Sequence, residues 1–385
     1  MRVAHFAGTM RPGHDGVTKV LYRMTTALTA AGVDHIFVSP ILPPPEERTV
    51  PMFEVPSMAF PLYKDYRVAT PGSRYFADHV LKFRPDILHI HSPCSLGYAA
   101  VRFGRKHRIP VVATYHTHFT SYAKYYNIQL LEPFGWNYLR HIYEGCDRIF
   151  VPSLPILDDL WAQGLRRLEH LPHGVDTAAF HPSYRSFAWR AANGIEGDKR
   201  MLLFAGRLVW EKDLRTLARA YNLLRQKRSD FVMVLAGDGP IRHELASMMP
   251  GAVFLGQLGG EALSTAYASS DLFVFPSTTE TFGNVIVEAM ASGVPPVCAR
   301  EGGASGIVQH GVTGVLSTPR DAADFAAAIE RVLDAPAKRE AMAMQALEFA
   351  RRQSWPTIFQ RMLESYAEVR ETFVKRKSPR SRKAA

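Results

Sequence analysis

Compact apolar runs and longer amphipathic stretches alternate along almost the whole chain. RVAHFAG is a short apolar run, followed by the glycine- and proline-rich TMRPGHDG. VTKVLYRMTTALTAAG then sets Val17, Val20, Leu21, Met24 and Leu28 at helical spacing, and DHIFVSP is a second compact run. Strand, glycine loop, helix, strand is one βαβ unit. PDILHIH, IPVVATYH and DRIFVPS extend the series. After the polar stretch HPSYRSFAWRAANGIEGD the alternation restarts at RMLLFAG. It runs through the helix DLRTLARAYNLLRQKR, the strand FVMVLAG, a GDGP turn, the strands AVFLG and DLFVFPS, the helix NVIVEAMASG and the strand PPVCA. The pattern predicts an α/β protein of two doubly wound Rossmann-like domains, residues 1–185 and 195–354. A last helix is predicted over 355–373, with Ile358, Met362, Leu363, Tyr366 and Val369 on one apolar face.

Length and composition agree with that division. The chain has 385 residues, 47% of them hydrophobic, enough for two ordinary cores. No apolar run approaches the roughly 20 residues of a membrane span. The opening MRVAHFAGTM reads as a first strand and not as a signal peptide. Cys94, Cys146 and Cys298 are few, odd in number and far apart, which argues against a disulfide framework or a zinc ribbon and fits a reducing cytoplasm. The net charge of +10 is uneven: residues 1–190 carry +6, residues 191–373 carry −2, and VKRKSPRSRKAA adds +6. A tail of that kind, residues 374–385, is ordinarily disordered and solvated. Its alternative is attraction to an anionic membrane surface, worth about 1 kcal/mol per basic residue. No nucleic-acid-binding motif accompanies the charge.

Candidate chemistry follows the predicted strand ends. In ETFGNVIVE, Glu280 and Glu288 bracket a helix start, and Gly283 lets a ligand approach the backbone. The amides of Phe282, Gly283, Asn284 and Val285 would form an anion site there. One carboxylate could accept from sugar hydroxyls and the other from a ribose, with phosphates on the amides between them. In FAGRLVWEKD, Gly206 ends a strand, and Arg207 and Lys212 follow five residues apart, able to neutralise a departing diphosphate. His116 closes a strand in the first half, and His89 and His91 share a strand face by period-two alternation. Histidine pairs of this kind could collect a metal, although structural roles are commoner. The glycines Gly8, Gly13 and Gly16 lack the G-x-G-x-x-G spacing of a nicotinamide site. No D-x-D stands anywhere to hold a divalent cation on a diphosphate.

Together these motifs resemble glycosyltransferase family 4, retaining enzymes of GT-B architecture. ETFGNVIVE matches the family's E-x7-E motif and GRLVWEKD its G-R-L-x-x-E-K loop, with LAGDGP, PSTTETFG, EAMASGVPPV and HGVTG in place. DGVTKVLYR, AFPLYKDYRVATP, HIHSPCSLG and TYHTHFTSYAKYY resemble the branch of GDP-mannose-dependent α-mannosyltransferases and sulfoquinovosyl-diacylglycerol synthases. Two positions depart from the common pattern: Asp15, where many relatives have a glycine before Gly16, and Ala304, where many have proline after Gly302–Gly303.

The resemblance implies that Glu280 binds donor-sugar hydroxyls as a positioning group and Glu288 the ribose. Arg207 and Lys212 would hold the diphosphate, and His116 would sit beside the transferred sugar. Gly16 would approach the diphosphate, and Gln257 and Leu258 would border the base. It also implies two domains facing a cleft, the last helix packed back on the first domain, and no metal or other cofactor. The donor would be a nucleotide sugar, GDP-mannose foremost and UDP-glucose or a related sugar next. The acceptor is expected to be a lipid or carbohydrate hydroxyl. FTSYAKYYNIQLLEPFGWNYLRH, with Tyr122, Lys124, Tyr125 and Tyr126, is aromatic and basic, as an acceptor or membrane surface would be. Two rivals fit the same residues, a nucleotide-sugar epimerase of the same architecture and a non-catalytic sugar-binding module.

Overall fold

A computed structural model describes residues 1–12, 16–60, 63–70, 72–116, 132–195 and 197–377. The chain divides into two compact units, Met1–Pro172 with Pro356–Ala385, and His173–Trp355. Each is built on a parallel sheet.

In the first unit the strands are β1 (Arg2–Phe6), β2 (Asp34–Ser39), β3 (Met52–Glu54), β6 (Ile87–Ile90), β7 (Val111–Thr114), β8 (Arg148–Val151) and β9 (Leu168–His170). They pair in the order β3-β2-β1-β6-β7-β8-β9, and β4 (Ser57–Phe60) and β5 (Tyr63–Ala69) form a separate antiparallel hairpin. Helices α1 (Gly16–Ala30), α2 (Ala77–Phe83), α3 (Ser95–His107), α4 (Glu132–Tyr143) and α5 (Leu154–Ala162) connect them. The spacing expected of α1 is the one that packs, because Val20, Leu21, Met24 and Leu28 are all buried.

The second unit pairs β12 (Val253–Gly256), β11 (Phe231–Ala236), β10 (Arg200–Ala205), β13 (Leu272–Phe275), β14 (Pro296–Ala299) and β15 (Val315–Ser317) in that order. Its helices are α6 (Phe187–Ala192), α7 (Leu214–Lys227), α8 (Arg242–Met248), α9 (Gly260–Ser269), α10 (Asn284–Ala291), α11 (Gly303–Ile307), α12 (Ala322–Leu333) and α13 (Pro336–Arg352). Strands such as Met201–Ala205 and Met233–Ala236 are continuously apolar and buried, as sheets covered by helices on both faces require.

The boundary falls between residues 172 and 173, earlier than the sequence suggests. The polar stretch from residue 181 to 199 reads in sequence as the joint between domains, but it belongs to the second unit. Arg185 donates to the carbonyl of Ser270 at 3.0 Å and to Asp271 at 2.9 Å, and Arg190 donates to Asp271 at 3.0 Å. Burial alone would raise the Asp271 carboxyl, but the Met201 amide and both guanidinium groups hold it below the usual carboxylate range. Removing either arginine would leave a buried charge short of a partner, so the segment is fastened and not free.

The last helix, α14 (Trp355–Lys377), runs four residues beyond its expected end and from Pro356 onward belongs to the first unit. Ile358, Met362, Tyr366 and Val369 are buried there. Arg148 of β8 pairs with Glu169 and reaches Glu368 of α14 at 3.4 Å, and Ser365 donates to Glu169 at 2.8 Å. Among the described residues no helix is long and apolar enough to cross a membrane.

Candidate active site

Because every strand of the second unit is parallel, the loops after β10, β11, β12 and β13 leave from one edge of the sheet. Strand order runs outward from β10 to β12 on one side and from β13 to β15 on the other. The switch point therefore lies between β10 and β13, where open α/β sheets bind ligands.

The predicted residues of that unit collect at this edge. Gly206 follows β10, Arg207 is exposed, and Lys212 closes a single 3-10 turn, Trp210–Lys212. Glu280 lies in the loop from β13 to α10. Lys212 Nζ donates to Glu280 Oε1 across the switch point, with side chains 22% and 17% exposed. Ser277, fully buried, donates to the same carboxylate oxygen at 3.1 Å. The backbone carbonyl of Glu280 accepts from the amide of Gly303 at 2.7 Å, which ties the loop to α11. Only glycine fits at position 303, since a Cβ there would stand 2.3 Å from the carbonyl oxygen of Phe282. Two residues expected to meet a donor thus hold each other.

Gly283 caps α10 with φ +107°, a conformation that glycine adopts without strain. The first amides of α10 precede its i→i−4 bonds and face outward as donors. Glu288 sits one turn along, half-buried, and accepts from the hydroxyl of Tyr267 at 3.0 Å. Tyr267 is fully buried on α9. Burial first, and the Glu288 carboxylate second, push its phenol well above the usual value, so it stays a donor. His173 lies 2.9 Å through Nδ1 from Oδ1 of Asn284, and burial pushes its imidazole down to about 4 against the opposing effect of that bond. Gln257 and Leu258 follow β12 at the same sheet edge, exposed and half-buried respectively.

The first unit carries the remaining candidates. His116 lies two residues beyond β7, buried, with Nε2 3.2 Å from Nδ1 of His91. His89 and His91 share a face as alternation requires, their ring centroids 3.9 Å apart. Gly16 opens α1. Tyr122, Lys124, Tyr125 and Tyr126 lie outside the described residues. Sequence reasoning passed over Ser277, Tyr267, His173 and His5. Ser277 stands only three residues before Glu280, and the histidine of LPHGVD was the other local signal available. Tyr267 and His5 meet their partners only through the fold.

Comparison with known proteins accounts for both units. Residues 14–179 match Glycosyltransferase Family 4, and residues 186–349 match Glycosyl transferases group 1. The chain is 35% identical over 378 residues to the GDP-mannose-dependent alpha-mannosyltransferase of Corynebacterium glutamicum, covering 96% of this chain and 89% of the relative. It is 35% identical over 309 residues to the sulfoquinovosyl transferase SQD2 of Arabidopsis thaliana, covering 78% of this chain and 60% of that one. The crystal structure of Anabaena HepE in complex with UDP superposes with a TM-score of 0.78 at 20% identity, over 96% of this chain and all of that one, and shows the shared fold. These relatives are transferases, and the epimerase alternative finds no support in them. With its paired parallel-sheet units, the chain belongs to glycosyltransferase family 4, a nucleotide-sugar-dependent hexosyltransferase of GT-B fold in the branch of the GDP-mannose-dependent α-mannosyltransferases and SQD2.

Proposed function

We propose that the protein is a retaining enzyme that moves mannose from GDP-mannose to a lipid hydroxyl at the cytoplasmic face of a membrane. UDP-glucose or a related donor ranks second. The observation that carries the donor reading is the Lys212–Glu280 pair at the β10/β13 switch point, beside the outward amides of α10. A diphosphate is the stronger partner for Lys212, since two charges meet one, and its arrival would release Glu280 for the sugar hydroxyls. Glu288, held by Tyr267, would then accept from the ribose. Identity to the Corynebacterium relative favours mannose and guanine.

In the proposed reaction the acceptor hydroxyl attacks the anomeric carbon from the side the diphosphate leaves. The bond to the phosphate oxygen breaks, and that oxygen takes the acceptor's proton. Arg207 and Lys212 neutralise the charge that develops, which needs no metal. His116 would stand beside the transferred sugar and Gly16 beside the diphosphate, with Gln257 and Leu258 at the base.

The lipid acceptor is supported by α4. Phe134 and Tyr138 lie four apart on this helix, 72% and 45% exposed, with Arg140 following. Helix α3 packs against it and adds Arg102, Arg105 and Lys106. Exposed aromatic and basic side chains on two neighbouring helices suit an anionic bilayer. The test is transfer from GDP-mannose in EDTA to acceptor lipids in anionic vesicles, followed by mass spectrometry and the anomeric coupling of the product. A mannolipid of α configuration is expected. Turnover only with soluble sugars, or only with added metal, would overturn the proposal.

A further inference from the structure

The amino edge of the second unit's sheet, opposite the edge that carries Lys212 and Glu280, gathers more positive charge than the fold neutralises. Arg200 opens β10, and Asp271 immediately precedes β13. Three guanidinium groups turn to that one carboxylate. Arg185 meets Oδ1 at 2.9 Å, Arg190 meets Oδ2 at 3.0 Å, and Arg200 stands 4.0 Å from Oδ1. The Met201 amide also donates to Oδ2 at 2.8 Å, so little of the carboxylate is left to share. Nε of Arg190 is buried and has no hydrogen-bond partner among the described residues.

A fourth arginine joins this group and pairs with no carboxylate among the described residues. Arg339 of α13 is only 8% exposed, and its Nη1 is buried without a hydrogen-bond partner there. It comes within electrostatic reach of Arg200, Arg185 and Asp271. Burial first, and then the Arg200 guanidinium, pull it below the usual arginine value, and Asp271 and the exposed Glu340 offset this only in part. Its amide bonds to the Ala335 carbonyl at 2.9 Å, which closes the first turn of α13. The macrodipole is positive at that end, the wrong end for a cation. An apolar side chain of similar length would fill the position more favourably, since removing an unpaired buried charge is commonly stabilising. Packing therefore explains the stem of Arg339 and not its charge, which calls for a partner from outside the chain.

The charges say what kind of partner. Four arginines against Asp271 and Glu340 leave an excess of two, the charge of a phosphate dianion. Asp230 also faces Arg200, but Arg228 already holds both its oxygens, at 2.7 and 2.8 Å. Guanidinium forks match the oxygens of such an anion. The side chain of Arg200 is 41% exposed, so the cluster opens to solvent on its side.

We propose that this edge is an anion site in which Arg339 and Arg200 hold the phosphate group of a small soluble ligand, inorganic phosphate or a phosphomonoester. Asp271 keeps Arg185 and Arg190 in place beside it. The site lies at the other end of the strands from the proposed donor site and does not depend on that reading.

The experiment is calorimetric titration of the full chain with sodium phosphate, and separately with glycerol 3-phosphate, in chloride buffer of matched ionic strength. One equivalent of each is expected to bind at this edge. Arg339→Met, which keeps the length of the side chain and drops its charge, should weaken that equivalent about tenfold or more, a charged hydrogen bond's worth. Arg200→Gln should weaken it as well. Phosphate taken up at the donor edge would bind both variants as it binds the unsubstituted chain, so the two sites are read separately. Tighter binding of the ester would make a phosphorylated metabolite the occupant, and equal binding the free ion; either supports the site. No binding of either ligand, or binding that Arg339→Met leaves unchanged, overturns it. Should Arg339→Met not fold, Arg200→Gln decides in its place, because that side chain stands at the surface.

Discussion

At the switch point of the first unit, between β1 and β6, the side chains that meet are imidazoles, buried, neutral and bonded to one another. At that of the second, between β10 and β13, they are a lysine and a glutamate, each about a fifth exposed. The two sheets share a topology, and the same gap at the carboxyl edge is filled in opposite ways. Neutral rings can be buried at modest cost and hold an orientation once bonded. Charges at a sheet edge keep contact with water and can exchange partners. The first arrangement suits a group that must be aimed, the second a group that must release one anion for another.

Four predictions break or sharpen that contrast. The largest effect is on folding stability. His5, His89 and His91 are held neutral in the first unit, well below the value near 6.5 that they regain on unfolding. Stability from them is complete above pH 6.5 and declines as pH falls below it, because the unfolded chain takes up protons that the folded unit refuses. Three groups together give a slope of up to about 4 kcal/mol per pH unit. The second unit has His173, whose value near 4 ends its contribution there. Hydrogen exchange at pH 7 and pH 5 should show the first unit losing protection more steeply, and equal losses would erase the distinction.

Next comes the exchangeable pair. Lys212→Ala should lower kcat by about 10²–10³-fold in a steady-state transfer assay, as loss of a charge-stabilising donor does elsewhere. An unchanged kcat would mean that the pair is structural. Smaller is Glu288→Ala, expected to weaken nucleotide binding roughly 10- to 150-fold, a charged hydrogen bond's worth, with kcat at saturation nearly retained. The smallest is Tyr267→Phe. Loss of its hydroxyl to Glu288 should raise the nucleotide Kd roughly fivefold without touching the first unit's pH response.

Local pattern carried much of this into view before the fold did. RMLLFAG and FVMVLAG are strands because they are short, apolar and end in glycine, and they are buried from Met201 to Ala205 and from Met233 to Ala236. ETFGNVIVE announced its helix start through Gly283 and Asn284, and the helix begins at Asn284. The pairing of Lys212 with Glu280 was not visible, since 68 residues separate them and only the β10/β13 pairing brings them together. His5 reads as an ordinary strand residue in RVAHF, and the parallel register with β6 sets it opposite His89 and within reach of His91. The linker misled for the same reason. Arg185 and Arg190 look solvated in sequence because their partner, Asp271, is more than 80 residues away.

The claim that the second unit's sheet edge binds a nucleotide sugar is tested most directly by calorimetric titration in EDTA with GDP, UDP, GDP-mannose and UDP-glucose, on the full chain and on Glu288→Ala. The account predicts that one base binds in preference, GDP first, and that the substitution weakens it without changing the sugar dependence. Equal affinity in the variant, or no binding by any of the four, would contradict it.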